Sequence, residues 1–356
     1  MVESERVGAI RLTEPVLDGA ELDAVRKVLD SGWLAEGEVT RRFERKVADY
    51  VGAKYAVATC NCTVALELCL KAYDIKGEVI VPDFTHPATA QAVINAGATP
   101  ILVDVDIDEY NVDLNKTSKV VTRKTDAIIP VSWAGNPLDY VNKGPSHRRE
   151  IPCIEDAACS LGASLYGYRT GRWVTACFSF HPRKLVTCGE GGMVATWSYE
   201  LADKVQSLKT FGDAGGNYKL SDIQSAIGLV QMEKIEAIIE RRIEMATVYN
   251  DLLSEVPNVK PPWKHPSARH TYQTYAVYLE KGDRNKIIVK LATKGIETQV
   301  GAYALHLLPQ FKDAKRVGFL RNSEKLHRNL LALPMSYSMT DEDQKRVVSE
   351  LKTLVN

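Results

Sequence analysis

From Gly52 to about Thr196, short apolar runs alternate with longer stretches in which apolar positions recur at helical spacing. Segments 55–59, 78–81, 100–103, 127–131, 151–154, 176–180 and 193–196 read as strands, with helices over 63–73 and 87–95. Strands alternating with helices imply crossover connections, and hence a mainly parallel sheet covered on both faces. Upstream, 21–30 and 39–50 have the amphipathic period of helices. Downstream, a single helix is expected from Ser221 to Leu253. Ser221 and Gln224 form a capping-box pair, and Ile223, Ile227, Val230 and Ile238 fall at helical spacing. Pro261 and Pro262 then break the pattern, and a strand over 272–279 with helices near 285–294 and 341–354 reads as a small α+β unit. The expected division is a large α/β domain over 1–253 and a small domain over 254–356.

Composition narrows the class. The 356 residues are 45% hydrophobic and 25% charged, which suits a folded globular chain, and the formal net charge is zero. A balanced charge gives no reason to expect nucleic acid as a partner. No run approaches the length needed to span a bilayer, and the stretch from Met1 to Leu12 lacks a signal-peptide core, so a cytoplasmic location is expected. The seven cysteines form no CxxC pair and no zinc-finger spacing with histidine. Reduced, mostly buried thiols and no metal site are expected.

Four segments carry candidate chemistry. In Ile154, Glu155, Asp156, Ala157 a buried run ends in two carboxylates, where open α/β sheets bind ligands; an acidic helix cap is the structural alternative. In Phe178 to Lys184, followed by Gly189, Gly191 and Gly192, a strand enters a turn, presents a lysine and leaves through glycines. Desolvation there is expected to lower the lysine pKa and free the amine as a nucleophile and base. Thr59 to Leu66 sets small polar residues before an apolar helix, a phosphate-binding arrangement, although Thr63 as a plain N-cap explains it equally. Gly215 to Asp222 alone reads as a glycine-rich turn and a helix cap.

The order of these segments resembles the DegT/DnrJ/EryC1/StrS family of sugar aminotransferases, of the type I (aspartate-aminotransferase) PLP-transferase fold. Ser31-Gly32-Trp33-Leu34, Val81 to His86, Val103 to Asp106 and Leu333-Pro334-Met335 extend the likeness. The resemblance implies a seven-stranded type of sheet and pyridoxal 5'-phosphate (PLP) as cofactor. It implies Lys184 as the Schiff-base lysine and Asp156 as partner of the pyridinium nitrogen. Ser179, Thr63 and the backbone at Val64 would bind the cofactor phosphate, with Cys62 at a position usually glycine. His86 would stack on the ring, and Cys159 stands near the cofactor where Gln or His is frequent. Ser132 replaces a frequent His, and the loop 211–216 is short for the family. Asn217 would reach a neighbouring subunit's phosphate, making a homodimer the active unit.

The reaction so implied moves an amino group from L-glutamate to a nucleotide-linked keto-sugar, with Trp33, Lys219, Tyr303 and His306 as candidate substrate contacts. Sugar dehydratases of the same fold carry His at the lysine position, so Lys184 speaks for transamination over a dehydratase. A regulatory, non-catalytic relative is the other alternative. A nicotinamide dehydrogenase is disfavoured because no GxGxxG follows the first strand.

Overall fold

The computed structural model describes residues 8–142, 151–212 and 215–355. Most of the stretch from Met1 to Leu12, and Asp213 and Ala214 of the loop 211–216, lie outside them.

The main sheet takes seven of its strands from Tyr55–Thr59, Glu78–Pro82, Thr99–Val103, Thr125–Ile128, Ile154–Asp156, Thr175–Ser179 and Gly192–Thr196. Hydrogen bonding orders them in two ladders, Tyr55–Thr59, Gly192–Thr196, Thr175–Ser179, Ile154–Asp156 and then Thr125–Ile128, Glu78–Pro82, Thr99–Val103. Parallel bridges Ile128 to Cys153 and Val131 to Asp156 join the two halves. The pairing is parallel except at Gly192–Thr196, which runs antiparallel to both neighbours. The alternating pattern suggested a crossover there as well. The chain instead doubles back through the 12 residues 180–191, in which no crossover helix forms. Gly192 is required at this point: a Cβ there would run into the backbone of Asn61 and Cys62.

These strands read as apolar runs because both faces are covered. Helices Cys62–Ala72, Pro87–Asn95 and Tyr199–Leu208 pack Leu66, Leu70, Val93, Val205 and Leu208 over one face. Helices Glu38–Val51 and Asp222–Leu253 bury Phe43, Val47, Met232 and Ile235 against the other. The long helix begins at the expected capping box, with the Gln224 amide on Ser221 Oγ at 3.2 Å. Beyond it, Val259–Lys260, Tyr275–Leu279, Leu330–Leu333 and Gln299–Val300 form an antiparallel sheet. Helices Arg284–Thr293 and Asp341–Val355 cover it through Ile287, Leu291, Val347 and Leu351.

The two ends of the chain are stitched together more than the sequence suggests. The amide of Ile10 donates to the Gly295 carbonyl at 2.8 Å, and Met335 N–H donates to the Leu12 carbonyl at 2.8 Å. Ile10 packs in one apolar cluster with residues of the C-terminal sheet and with Met245, Tyr249 and Leu253 at the end of the long helix. In return, Tyr303–Ala304 pairs with Phe84–Thr85, and Lys315–Arg316 extends the main sheet beside Thr99–Val103. No helix among the described residues is long and apolar enough to cross a membrane.

Candidate active site

A cavity of about 370 Å³ opens where strand ends of the main sheet meet the C-terminal sheet. Asp156 ends its strand there, almost fully buried. Its Oδ2 accepts the Thr89 hydroxyl at 2.8 Å and its Oδ1 accepts the Ala158 amide at 3.2 Å. The strand pleat sends Glu155 the other way, where its carboxylate accepts the Ser132 hydroxyl away from the cavity. Only one of the two adjacent carboxylates therefore faces this space.

Lys184 reaches the same cavity from the loop 180–191. That loop is closed on itself: Thr187 Oγ1 and the Cys188 amide both donate to the Phe180 carbonyl, at 2.9 and 3.1 Å. A turn bond from Lys184 N–H to the His181 carbonyl at 2.8 Å fixes the lysine backbone. Its Nζ lies 3.2 Å from Cys159 Sγ. Burial pulls the ammonium toward deprotonation, but Cys159, Asp156 and Cys62 outweigh it and hold the pKa above the ordinary lysine value. The lowered pKa expected from desolvation is thus reversed by the acidic groups around the amine.

The helix that opens beside them starts at Cys62, with Asn61 rather than Thr63 as its N-cap. Asn61 Oδ1 accepts the Val64 amide at 2.9 Å, so the Val64 N–H proposed for phosphate is engaged by this cap. Asn61, Cys62 and Thr63 nonetheless line the cavity, as does Ser179, whose Oγ accepts the His181 amide at 3.4 Å. The buried Cys62 thiol donates to the Cys177 carbonyl at 3.5 Å and packs as an apolar group. His86 caps the helix Pro87–Asn95 through Nδ1, which accepts the Ala88 amide at 3.2 Å, and lines the wall. Partial burial and the charge of Lys184 both push its pKa below the usual histidine range. Tyr303 lines the cavity opposite it, the two ring centres 6.5 Å apart.

Three other candidates lie elsewhere on the surface. Trp33 is exposed and donates from Nε1 to the Glu36 carbonyl at 3.2 Å, while Asn217 and Lys219 are exposed beside Tyr218; none lines this chain's cavity. His306 does not line the cavity either. It is buried and bonded twice to Asp83, through its amide at 2.9 Å and Nδ1 at 2.7 Å, which makes it a pin between segments. Sequence reasoning passed over Asn61, Arg183, Gln273 and Gln299, which also line the cavity. Asn61 alone carried a signal, as a preferred N-cap residue three positions before Val64.

PLP consists of an anionic phosphate, a ring with a basic nitrogen, and a carbonyl carbon that an amine attacks. The cavity matches each part in chemistry: the Ser179 and Thr63 hydroxyls, the Asp156 carboxylate and the Lys184 amine. Residues 15–352 match the DegT/DnrJ/EryC1/StrS aminotransferase family along almost the whole chain. The chain belongs to that family. The protein is a PLP-dependent aminotransferase of the type I fold. It is 32% identical to the uncharacterized protein MJ1066 of Methanocaldococcus jannaschii over 373 aligned positions, covering 96% of each chain. Its structure resembles that of DesI, solved in the presence of its TDP-sugar product, with 28% identity, 97% and 92% of the two chains covered and a TM-score of 0.92. It also resembles the PLP form of Spr1654 from Streptococcus pneumoniae, with 26% identity, 98% of each chain covered and a TM-score of 0.90.

Proposed function

We propose that the enzyme takes an amino group from L-glutamate and passes it to a keto-sugar carried on a nucleotide. The observation that carries this reading is the convergence of one carboxylate, Asp156 at a strand end, and one primary amine, Lys184 from the loop 180–191, on a single cavity. The likeness to DesI, an enzyme with a TDP-sugar product, supports a nucleotide-linked acceptor.

When bound, PLP supplies a ring that accepts the electron pair left on a carbon next to nitrogen. The protein's share is proton handling and placement. Asp156, tied by Thr89 and the Ala158 amide, holds a proton on the ring nitrogen by its negative charge. Lys184 Nζ removes the proton from the donor's α-carbon and returns it to the accepting carbon, as base and then acid. Cys159 keeps that amine pointed into the cavity. The Ser179 and Thr63 hydroxyls hold the phosphate, and His86 forms the wall against the ring. We further assign the exposed Asn217 to the neighbouring subunit's phosphate, with a homodimer as the working unit.

The test is a panel of nucleotide-linked keto-sugars, each incubated with the PLP-loaded enzyme and glutamate and read by mass spectrometry. An amino-sugar product with equimolar 2-oxoglutarate is expected from at least one. Amination only of free keto acids would reject the sugar acceptor.

A further inference from the structure

Arg183 stands directly before the cofactor lysine and lines the same cavity. Two neutral amides clamp it. Gln273 Nε2 donates to the Arg183 carbonyl at 2.9 Å, and Arg183 Nη1 donates to Gln299 Oε1 at 2.9 Å. Both glutamines come from beyond the long helix, Gln299 from the C-terminal sheet, so the guanidinium bridges the two sides of the cavity. No carboxylate among the described residues pairs with it. Of the two acids on the cavity, Asp156 is bonded to Thr89 and Ala158, and Glu190 faces the His181 ring, at 3.8 Å. A neutral partner orients an arginine without cancelling its charge, and leaves most of its five N–H donors for a ligand.

Lys184 is committed to the cofactor, which leaves Arg183 as the permanently charged cation on the cavity among the described residues. Both substrates of the proposed reaction are anions: the donor carries carboxylates and the acceptor a nucleotide diphosphate. We propose that Arg183 is the substrate anchor, taking an anionic oxygen group, carboxylate or diphosphate, through its free guanidinium edge. This rests on the reading of the substrates given above. Planar oxyanions accept two parallel N–H bonds from an arginine, which gives orientation as well as attraction. Gln299 presets that orientation, so less rotamer freedom is lost on binding.

Calorimetric titration of the PLP-loaded enzyme with succinate, and separately with inorganic pyrophosphate, tests the anchor without turnover. The wild type should bind at least one of them, and Arg183→Gln should weaken that binding roughly 10- to 100-fold, the worth of hydrogen bonds to a charged group. Arg183→Lys should restore only part, because an ammonium lacks the planar fork. Thermal stability and cofactor absorbance should stay at wild-type values in both. Loss of succinate binding places the donor's carboxylate at Arg183; loss of pyrophosphate binding places the diphosphate there. Gln299→Ala keeps the charge but frees the side chain, and should weaken the same ligand by a smaller factor. A wild type that binds neither ligand, or a Gln variant that binds both unchanged, overturns the anchor. Since neither ligand is turned over, this outcome is independent of whether the keto-sugar panel yields product.

Discussion

The two faces of the Ile154–Asp156 strand hold the same kind of group in opposite circumstances. On the cavity face, the Asp156 carboxylate has two donors and looks onto Lys184 and open space. On the other face, Glu155 is sealed among Ser132, Tyr140 and Cys153. Burial, less the Ser132 bond and with the charge of Asp156 added, pushes its pKa up to about 7. Neighbouring residues of like chemistry are separated by the pleat alone. Function in this enzyme therefore follows from which face a side chain occupies, and residue type is a secondary guide.

The largest effect should come from what Asp156 serves. Lys184→Ala is expected to lower turnover by more than about 10³-fold, since general acid–base transfer alone is worth 10²–10⁴. The protein should stay folded, and borohydride should fix the cofactor to a Lys184 peptide in the wild type and leave the variant unlabelled. Recovery of the label on another lysine of the wild type would break the assignment.

The second test addresses the comparison itself. Asp156→Asn should slow both half-reactions roughly 100-fold while the cofactor stays bound, because an amide cannot hold the ring proton by charge. Glu155→Gln should leave turnover near the wild-type rate and change the pH dependence of stability instead. The folded chain keeps the Glu155 proton up to about 7, whereas the unfolded chain releases it near 4.5. More protons are bound in the folded state across that window, so wild-type stability should fall as pH rises through it. The Gln variant should lack this component. Melting curves at pH 5 and pH 8 decide the point, and identical slopes for the two proteins would refute the buried-proton assignment.

The smallest effect sharpens the contrast between the buried interior and the exposed Asn217. Lys184→Ala and a bulky substitution at Asn217, each nearly inactive at low PLP, are mixed through dissociation and reassociation. With half the dimers hybrid and one intact site in each, activity should return to about a quarter of wild type. No return, with hybrids seen by native mass spectrometry, would place Asn217 in its own chain's site or outside any site.

The sequence was most legible where a long stretch repeats one pattern. The capping box at Ser221 and Gln224, the seven strands, and the helix Pro87–Asn95 stand close to where their periodicity places them. It misled where one local choice admitted two geometries. A short glycine-rich loop reversed the Gly192–Thr196 strand, and Asn61 outcompeted Thr63 as cap. Helices Tyr199–Leu208 and Arg321–Asn329 went unread. The second carries Leu326 as its one buried apolar residue and shows little apolar period. In the site, Lys184, Asp156, Cys159, Ser179, Thr63, Cys62, His86 and Tyr303 share the cavity. His306 does not, because a histidine that can pin a buried aspartate looks the same in sequence as one that binds a ligand. Arg183 and Gln299 were invisible for a different reason: they meet only when the C-terminal sheet folds back onto the loop 180–191.

The thiol of Cys159 also has a practical side. Cys69 and Cys177 lie in the core with their sulfurs 3.8 Å apart, beyond the reach of reagents in solution. Cys159 lies in the cavity wall against the Lys184 amine. A small alkylating agent entering the empty cavity meets this sulfur, whereas PLP in place shields it. The rate of its labelling then becomes a colour-free gauge of cofactor occupancy, one that a relative with glutamine or histidine at this position does not possess.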